Sequence, residues 1–301
     1  MASALLTKIR RLTEETFSRD SFKWFDRSYT VDWTFASLAW ILAWIIKGLP
    51  PFEREFSIDD PLIGHKNRPN QISGDLTWFL SLLVPLGTIG VIGLLRVSAL
   101  EIHHGFLGLW AARGYNALIT EALKNRVGRL RPDFLSRCKW DKAQHVCTGK
   151  LAKILDGRRS FPSGHSSTAF SGMTFLTLYL AGLTGAWCLS QAAPPRSFFG
   201  SRMARLWITM APMAFATWVA VSRVEDYRHH KEDVIVGSLI GIGTATVSYL
   251  IYWPNPFALR GDDLYRGASQ PRLVYRDETH DRTERDYDYE LAGIGHGAEP
   301  V

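Results

Sequence analysis

Leu76–Leu95, Ser166–Trp187 and Val234–Trp253 carry no charged side chain, and each matches the roughly 20 apolar residues a helix needs to cross a bilayer. This constrains the chain more than any other feature. A soluble helix of that length needs a charged face at helical period, and none is present. Three further stretches fit the same role. Leu206–Val221 is uncharged and contains Pro212, which a membrane helix tolerates when its neighbours satisfy the freed backbone groups. Trp33–Ile46 is short, but Lys47 can snorkel and Leu49 extends it. Ile102–Leu123 carries His103, His104, Arg113 and Glu121 and is the most polar of the six. Trp33, Trp44, Trp78, Trp187, Trp207 and Trp253 fall near the span ends, where interfacial anchors are expected. The mean hydropathy of −0.05 conceals this pattern, because polar ends dilute an apolar middle.

The expected fold is therefore all-α, an integral-membrane bundle of six transmembrane helices with its active site at one membrane face. Residues 1–29 form an N-terminal segment, 30–256 the six-span domain, and 257–301 a disordered tail rich in Gly, Asp, Glu and Arg. The N-terminal segment mixes Lys8, Arg10, Arg11 and Arg19 with Glu14, Glu15 and Asp20. It lacks the apolar core of a cleavable signal, so the first span acts as an uncleaved one. The sequence shows no internal repeat, no mononucleotide-binding glycine loop and no zinc-type cysteine spacing. Nothing in it suggests a nucleic-acid partner.

Six spans put both termini on one face and the loops after spans one, three and five on the other. Three polar segments share that second face. They are Lys124–Pro132 after span three, Pro162–His165 before span four, and Ser222–Asp233 between spans five and six. Lys124 and Arg131 are seven residues apart, two helical turns, so they share a face if span three continues outward to Pro132. Arg223 joins them. Arginine presents a planar fork of donors matched to phosphate oxygens, and lysine a point charge.

Ser163 and Gly164 open span four, where unsatisfied amides favour anions and glycine allows close backbone approach. Ser163 adds a hydroxyl, and His165 can give a proton to a departing oxygen. His229 and Asp233 are four residues apart. A carboxylate accepting one ring N–H fixes the tautomer and frees the other nitrogen to attack phosphorus. The candidate set is thus His229 as nucleophile, His165 as acid and Asp233 as orienting group, with Lys124, Arg131, Ser163, Gly164 and Arg223 binding phosphate. A histidine pair beside carboxylates could instead hold a metal. Here the basic residues already supply the neutralising charge, so neither metal nor other cofactor is expected.

Among the neighbours, Arg113 is expected to pair with a polar group inside the bundle, and Arg126 and Arg129 to meet lipid head groups. Arg158, Arg159 and Ser160 are expected to gather anionic substrate, and Glu225 and Asp226 to balance nearby arginines. Cys138 and Cys147 lie in the loop between spans three and four, where an oxidising lumen permits a bridge; three unrelated thiols is the alternative. Both faces carry many Lys and Arg, but with the phosphate-binding cations discounted the positive-inside rule favours cytosolic termini, with the site in a lumen or outside the cell, in an endomembrane or the plasma membrane.

Lys124-x6-Arg131-Pro132, Pro162-Ser163-Gly164-His165 and Ser222-Arg223-x5-His229-x3-Asp233 together resemble the three signatures of the type 2 phosphatidic acid phosphatase superfamily, in order. The flanking Gly128–Phe134 and Val224–His230 look like its fungal and plant lipid phosphate phosphatases, including fungal diacylglycerol pyrophosphate phosphatase. The resemblance spans roughly residues 30–256 and implies a six-helix membrane bundle, a metal-independent site and the roles given above. His230 lies one residue past the motif histidine and receives no role from it. The implied activity is hydrolysis of phosphatidate, lysophosphatidate or diacylglycerol pyrophosphate through a phospho-histidine. Rival readings are a phosphotransferase, a phosphatase for sphingoid-base or polyprenyl phosphates, and a non-enzymatic lipid-binding protein.

Overall fold

The computed structural model describes residues 2–141, 143–188, 201–258 and 270–275. Six long helices form a bundle: α2 (Ser28–Gly48), α3 (Gly74–Leu95), α4 (Ala99–Val127), α7 (Gly164–Thr184), α8 (Arg202–Glu225) and α9 (Lys231–Tyr252). Each expected span falls on one of them. Pro85 and Pro212 sit inside α3 and α8 without ending either helix. A helix α1 (Ala2–Thr16) and a 3-10 turn at Arg19–Phe22 occupy the N-terminal segment. The α4–α7 connection holds the short helices α5 (Phe134–Cys138) and α6 (Leu151–Gly157), with a two-stranded hairpin between them. The all-α expectation therefore needs this one small addition.

Four of the long helices, α2, α3, α8 and α9, are long and apolar enough to cross a membrane. They expose Phe35, Trp44, Phe79, Trp207 and Leu239 outward. α4 and α7 fall outside that set, although 166–187 ranks among the most clearly uncharged stretches of the sequence. Their position explains the difference. α7 packs against α3, α4, α8 and α9, and α4 against α2, α3, α7 and α9, so both face protein. Polar side chains there find partners inside the bundle. Arg113 donates to Thr168 O (2.7 Å), Tyr179 Oη to Glu101 (2.7 Å), and Asn116 and Thr120 meet the Ser167 hydroxyl. Small residues let these backbones close in. A Cβ at Gly172 would collide with Ser81 O, and one at Gly241 would lie 2.5 Å from Ser167 O.

Trp44 and Trp207 are exposed as membrane anchors should be, but Trp253 is buried against Tyr179 and Tyr249. It is a core residue, which corrects the anchor reading. Most of the tail expected from residue 257 lies outside the described residues. Within it, Arg272 N bonds Tyr252 O (2.8 Å) and the Tyr275 hydroxyl donates to Asp32 (2.7 Å), so 270–275 docks on the bundle. At the other end, Ile63, Leu130, Phe134 and Cys138 make a second, smaller core between the α2–α3 and α4–α7 connections, and Cys138 is bonded to Cys147.

Candidate active site

Three chain reversals deliver the site. Ser163 caps α7, its Oγ accepting from Ser166 N (3.4 Å) and from the Ser166 hydroxyl (3.0 Å), which leaves its own proton available. The amides of Gly164 and His165 lie in the helix's first turn, outside its hydrogen-bond ladder. α4 ends at Val127 on Gly128, a left-handed cap with φ 57°, and Pro132 plays no part in ending it. Arg131 therefore leaves the helix, contrary to the expected shared face with Lys124. It is brought back by Arg131 N donating to Gly157 O (2.8 Å). Between α8 and α9, Tyr227 adopts φ 53°, held between a stacked His65 and the Arg68 guanidinium. That strained turn presents His229.

The expected residues come together. A Cβ at Gly164 would sit 2.7 Å from Lys124 Nζ, so a side chain there would displace the ammonium. Ser163 N bonds Asp233 O (2.8 Å). Arg223, His229, Arg131 and Lys124 all lie close enough to act on the charge of His165. Each cation is also held by a carboxylate. Lys124 bonds Glu121 (2.7 Å), Arg131 bonds Asp156 (2.9 Å), and Arg223 bonds Asp226 (2.8 Å). Burial alone would raise the Asp156 carboxyl, but Arg131 and Arg137 hold it below the ordinary range. Asp226 thus balances an arginine as expected, and Glu225 instead takes the Gln71 side-chain amide.

His229 is oriented differently from the expectation. Its Nδ1 lies 3.8 Å from Asp233, beyond hydrogen-bond reach, and 2.8 Å from the Ser160 carbonyl. A carbonyl can only accept, so Nδ1 carries the proton and Nε2 keeps its lone pair. Asp233 instead accepts the Ser160 hydroxyl (2.5 Å), the His230 amide (3.0 Å) and Arg129 (2.8 Å). Asp233 thus fixes residue 160, and residue 160 fixes His229. Burial pushes the His229 ring down to about 4, and Arg131 and Lys124 add to that while Asp233 opposes it. The ring is neutral at pH 7. Nε2 makes no hydrogen bond among the described residues, and buried His165 Nε2 has none either.

Other neighbours depart from the sequence reading. Arg129 clamps Glu232 and Asp233 and does not reach for head groups. Arg158 lies over Phe56 and Phe134 and bonds Arg54 O, while Arg159 bonds Asn125 and Lys47 O. Arg158 ties its loop to the α2–α3 connection, and Arg159 ties the same loop to the ends of α2 and α4. His230 caps α9 with Asp233 in a reciprocal pair. Among the described residues no group of three or more His, Cys, Asp or Glu is placed to hold a metal.

A bundle with this histidine–arginine pocket at one end defines a class, and comparison with known proteins agrees with it. The model of the PAP2 superfamily matches residues 105–257. Lipid phosphate phosphatase 2 of Arabidopsis thaliana is 32% identical over 77% of this chain and 79% of its own length. Probable diacylglycerol pyrophosphate phosphatase 1 of Schizosaccharomyces pombe is 34% identical over 71% and 77%. Diacylglycerol pyrophosphate phosphatase 1 of Saccharomyces cerevisiae is 34% identical over 68% and 72%. No solved structure matches. The chain belongs to the PAP2 superfamily.

Proposed function

We propose that this chain is an integral-membrane lipid phosphatase that hydrolyses phosphatidate, lysophosphatidate or diacylglycerol pyrophosphate without a metal. The observation that carries the reading is His229, a neutral ring with Nδ1–H on a carbonyl and Nε2 unengaged beside Lys124 and Arg131. Nε2 attacks phosphorus, the bond from phosphorus to the leaving oxygen breaks, and His165 gives that oxygen its proton. Water then attacks the phospho-histidine with His165 taking a proton, and phosphate leaves. Lys124, Arg131 and Arg223, with the Ser163 hydroxyl and the first amides of α7, stabilise charge growing on the equatorial oxygens. A bound phosphate dianion offsets the cations around His165 and lets it hold the proton it donates.

In this reading α4 and α7 also cross the membrane, sheltered by the four more apolar helices. The termini are cytosolic and the site faces a lumen or the exterior. The Cys138–Cys147 bond, in the loop that carries Arg131, favours an oxidising compartment for that face. The test is phosphate release by purified protein in detergent across a panel of lipid phosphates, with and without chelator. Release that persists in chelator and is blocked by vanadate is expected. No release from any lipid phosphate, or release that vanishes with chelator and returns with magnesium, would overturn the proposal.

A further inference from the structure

α9 leans on α7 and parts from α8. Gly237 presses against the Ser163 carbonyl and Gly241 against that of Ser167, which fixes one face of α9 to α7. Its adjoining face, with Lys231, Val234 and Ser238, is left looking across a cleft of about 480 Å³. Thr217, Val221 and Val224 of α8 form the opposite wall, and Phe170 of α7 contributes to the lining. On both helices the lining residues repeat at helical spacing over seven positions, so each wall runs about 10 Å along its axis.

The chemistry of the walls selects an occupant. The two hydroxyls in the cleft are turned into their own helices, Thr217 Oγ1 to Met213 O (2.9 Å) and Ser238 Oγ to Val234 O (2.8 Å). No polar group is left to receive a hydrogen-bonding ligand except Lys231. That lysine is the first residue of α9, where the helix dipole disfavours a cation, and it makes no hydrogen bond or ion pair among the described residues. The cleft thus has one charged end and apolar walls. Its charged end is the end nearest the site, since Val224 follows Arg223 and Val234 follows Asp233.

We infer that the α8–α9 cleft seats a hydrocarbon chain of the lipid phosphate whose head group occupies the site, with Lys231 at the anionic end. This rests on the phosphatase reading and adds to it a chain-binding subsite. A chain passing from bilayer to cleft exchanges one apolar surrounding for another, so the cleft contributes register and not bulk affinity. It holds the glycerol oxygen where His165 can protonate it. Long-chain lipids are thereby aligned and short-chain ones are not.

Two bulky variants, Thr217→Trp and Ser238→Trp, fill the cleft from opposite walls at positions away from the polar site. For each, kcat/KM is measured in mixed micelles on dioleoyl phosphatidate and on dihexanoyl phosphatidate. The long-chain to short-chain ratio should fall about tenfold, a discrimination typical of lost apolar pocket contacts. An unchanged ratio in both variants, with normal elution on size exclusion, would overturn the inference. Independently, phosphatidate bearing a diazirine on its acyl chain should label peptides of α8 and α9. Unlabelled phosphatidate should compete and phosphatidylcholine should not. Equal competition by both would mean that ordinary bilayer lipid fills the cleft, and the inference fails. Wild-type protein that hydrolyses neither lipid refutes the phosphatase reading instead, and the labelling result still decides the cleft.

Discussion

At one end of the bundle, Trp33 Nε1 donates to His103 (3.1 Å), His103 meets His104 (3.1 Å), and His104 reaches the carbonyl of Arg272 (3.1 Å). At the other, about 30 Å along α4, buried His229 and half-buried His165 keep ring nitrogens without partners among the described residues, as half-buried His103 and buried His104 do not. Trp33 can only donate, so a neutral His103 accepts on Nε2 and donates from Nδ1, and His104 passes the direction on to Arg272 O. Every ring nitrogen in that chain is engaged. The first arrangement docks residues 270–275 and has nothing left with which to act. The second pairs each cation with a carboxylate and leaves the two histidine nitrogens for an incoming group. Buried histidines become candidates for chemistry by what remains unbonded, and burial itself does not distinguish the two ends.

The sharpest way to break this comparison is to remove a histidine from each end. His229→Ala should lower kcat by at least about a thousandfold, the scale of losing a nucleophile. His104→Ala should leave kcat/KM within about twofold while lowering Tm, because it unpairs His103 and Arg272 O at a cost of about 1–3 kcal/mol. Comparable kinetic loss in both would erase the distinction. Acid-labile phosphate trapped by rapid quench on wild type, and absent from the His229 variant, would complete the assignment.

Ser160 should rank next. Ser160→Ala deletes the hydroxyl bond to Asp233 but keeps the carbonyl that holds His229, so kcat should fall about ten- to a hundredfold, the worth of one charge-assisted bond. Ser160→Thr should restore most of it, and KM should move little in either variant. A Ser160→Ala protein with wild-type kcat would show that Asp233 acts on His229 without this intermediary.

A smaller effect concerns pH. With its ring held down to about 4, His229 is neutral above that point, and kcat/KM should fall only as pH drops through about 4. An unperturbed histidine would lose activity near pH 6.5 instead. Arg131→Gln removes a cation that lowers the ring, so its acid limb should move to higher pH. Substrate ionisation is common to both proteins and cancels in the comparison. A limb that stays put, or moves lower, would contradict the electrostatic account of the pocket.

The smallest effect belongs to the other end. Tyr275→Phe removes a single bond to Asp32, about 1 kcal/mol, and should lower Tm by about 2–4 °C without changing kcat. A change in kcat would couple the docked segment to the site.

Much of this was legible in the sequence, and the failures have physical causes. The three segments and their convergence followed from the order of the long helices, because alternating helices of a bundle bring every second connection to the same end. The partner of His229 did not, since it is a backbone carbonyl, which no residue type announces. The carboxylates on Arg131 and Arg223 were half legible. Asp226 lies within one turn of Arg223, whereas Asp156 is 25 residues from Arg131 and arrives through tertiary folding. The end of α4 was readable and misread, because Gly128 is a better stop signal than Pro132. Arg129 looked like a surface cation because its partners, Glu232 and Asp233, come from a distant helix. Charge-free runs located long helices but not their depth in the bundle, so α7 was grouped with helices that face lipid.

Taking α7 as a membrane span, as proposed above, its central place bears on how the chain is made. A Ser- and Thr-rich helix carrying His165 has little reason to leave the translocon for lipid by itself. Its shelter on two sides, α8 and α9, is synthesised after it. α7 must therefore wait at the edge of the channel, or within it, until the last two helices emerge. Until that moment the nascent protein holds an incomplete wall. A chain truncated after Thr184 should be retained by membrane quality control even though every residue of α7 is present.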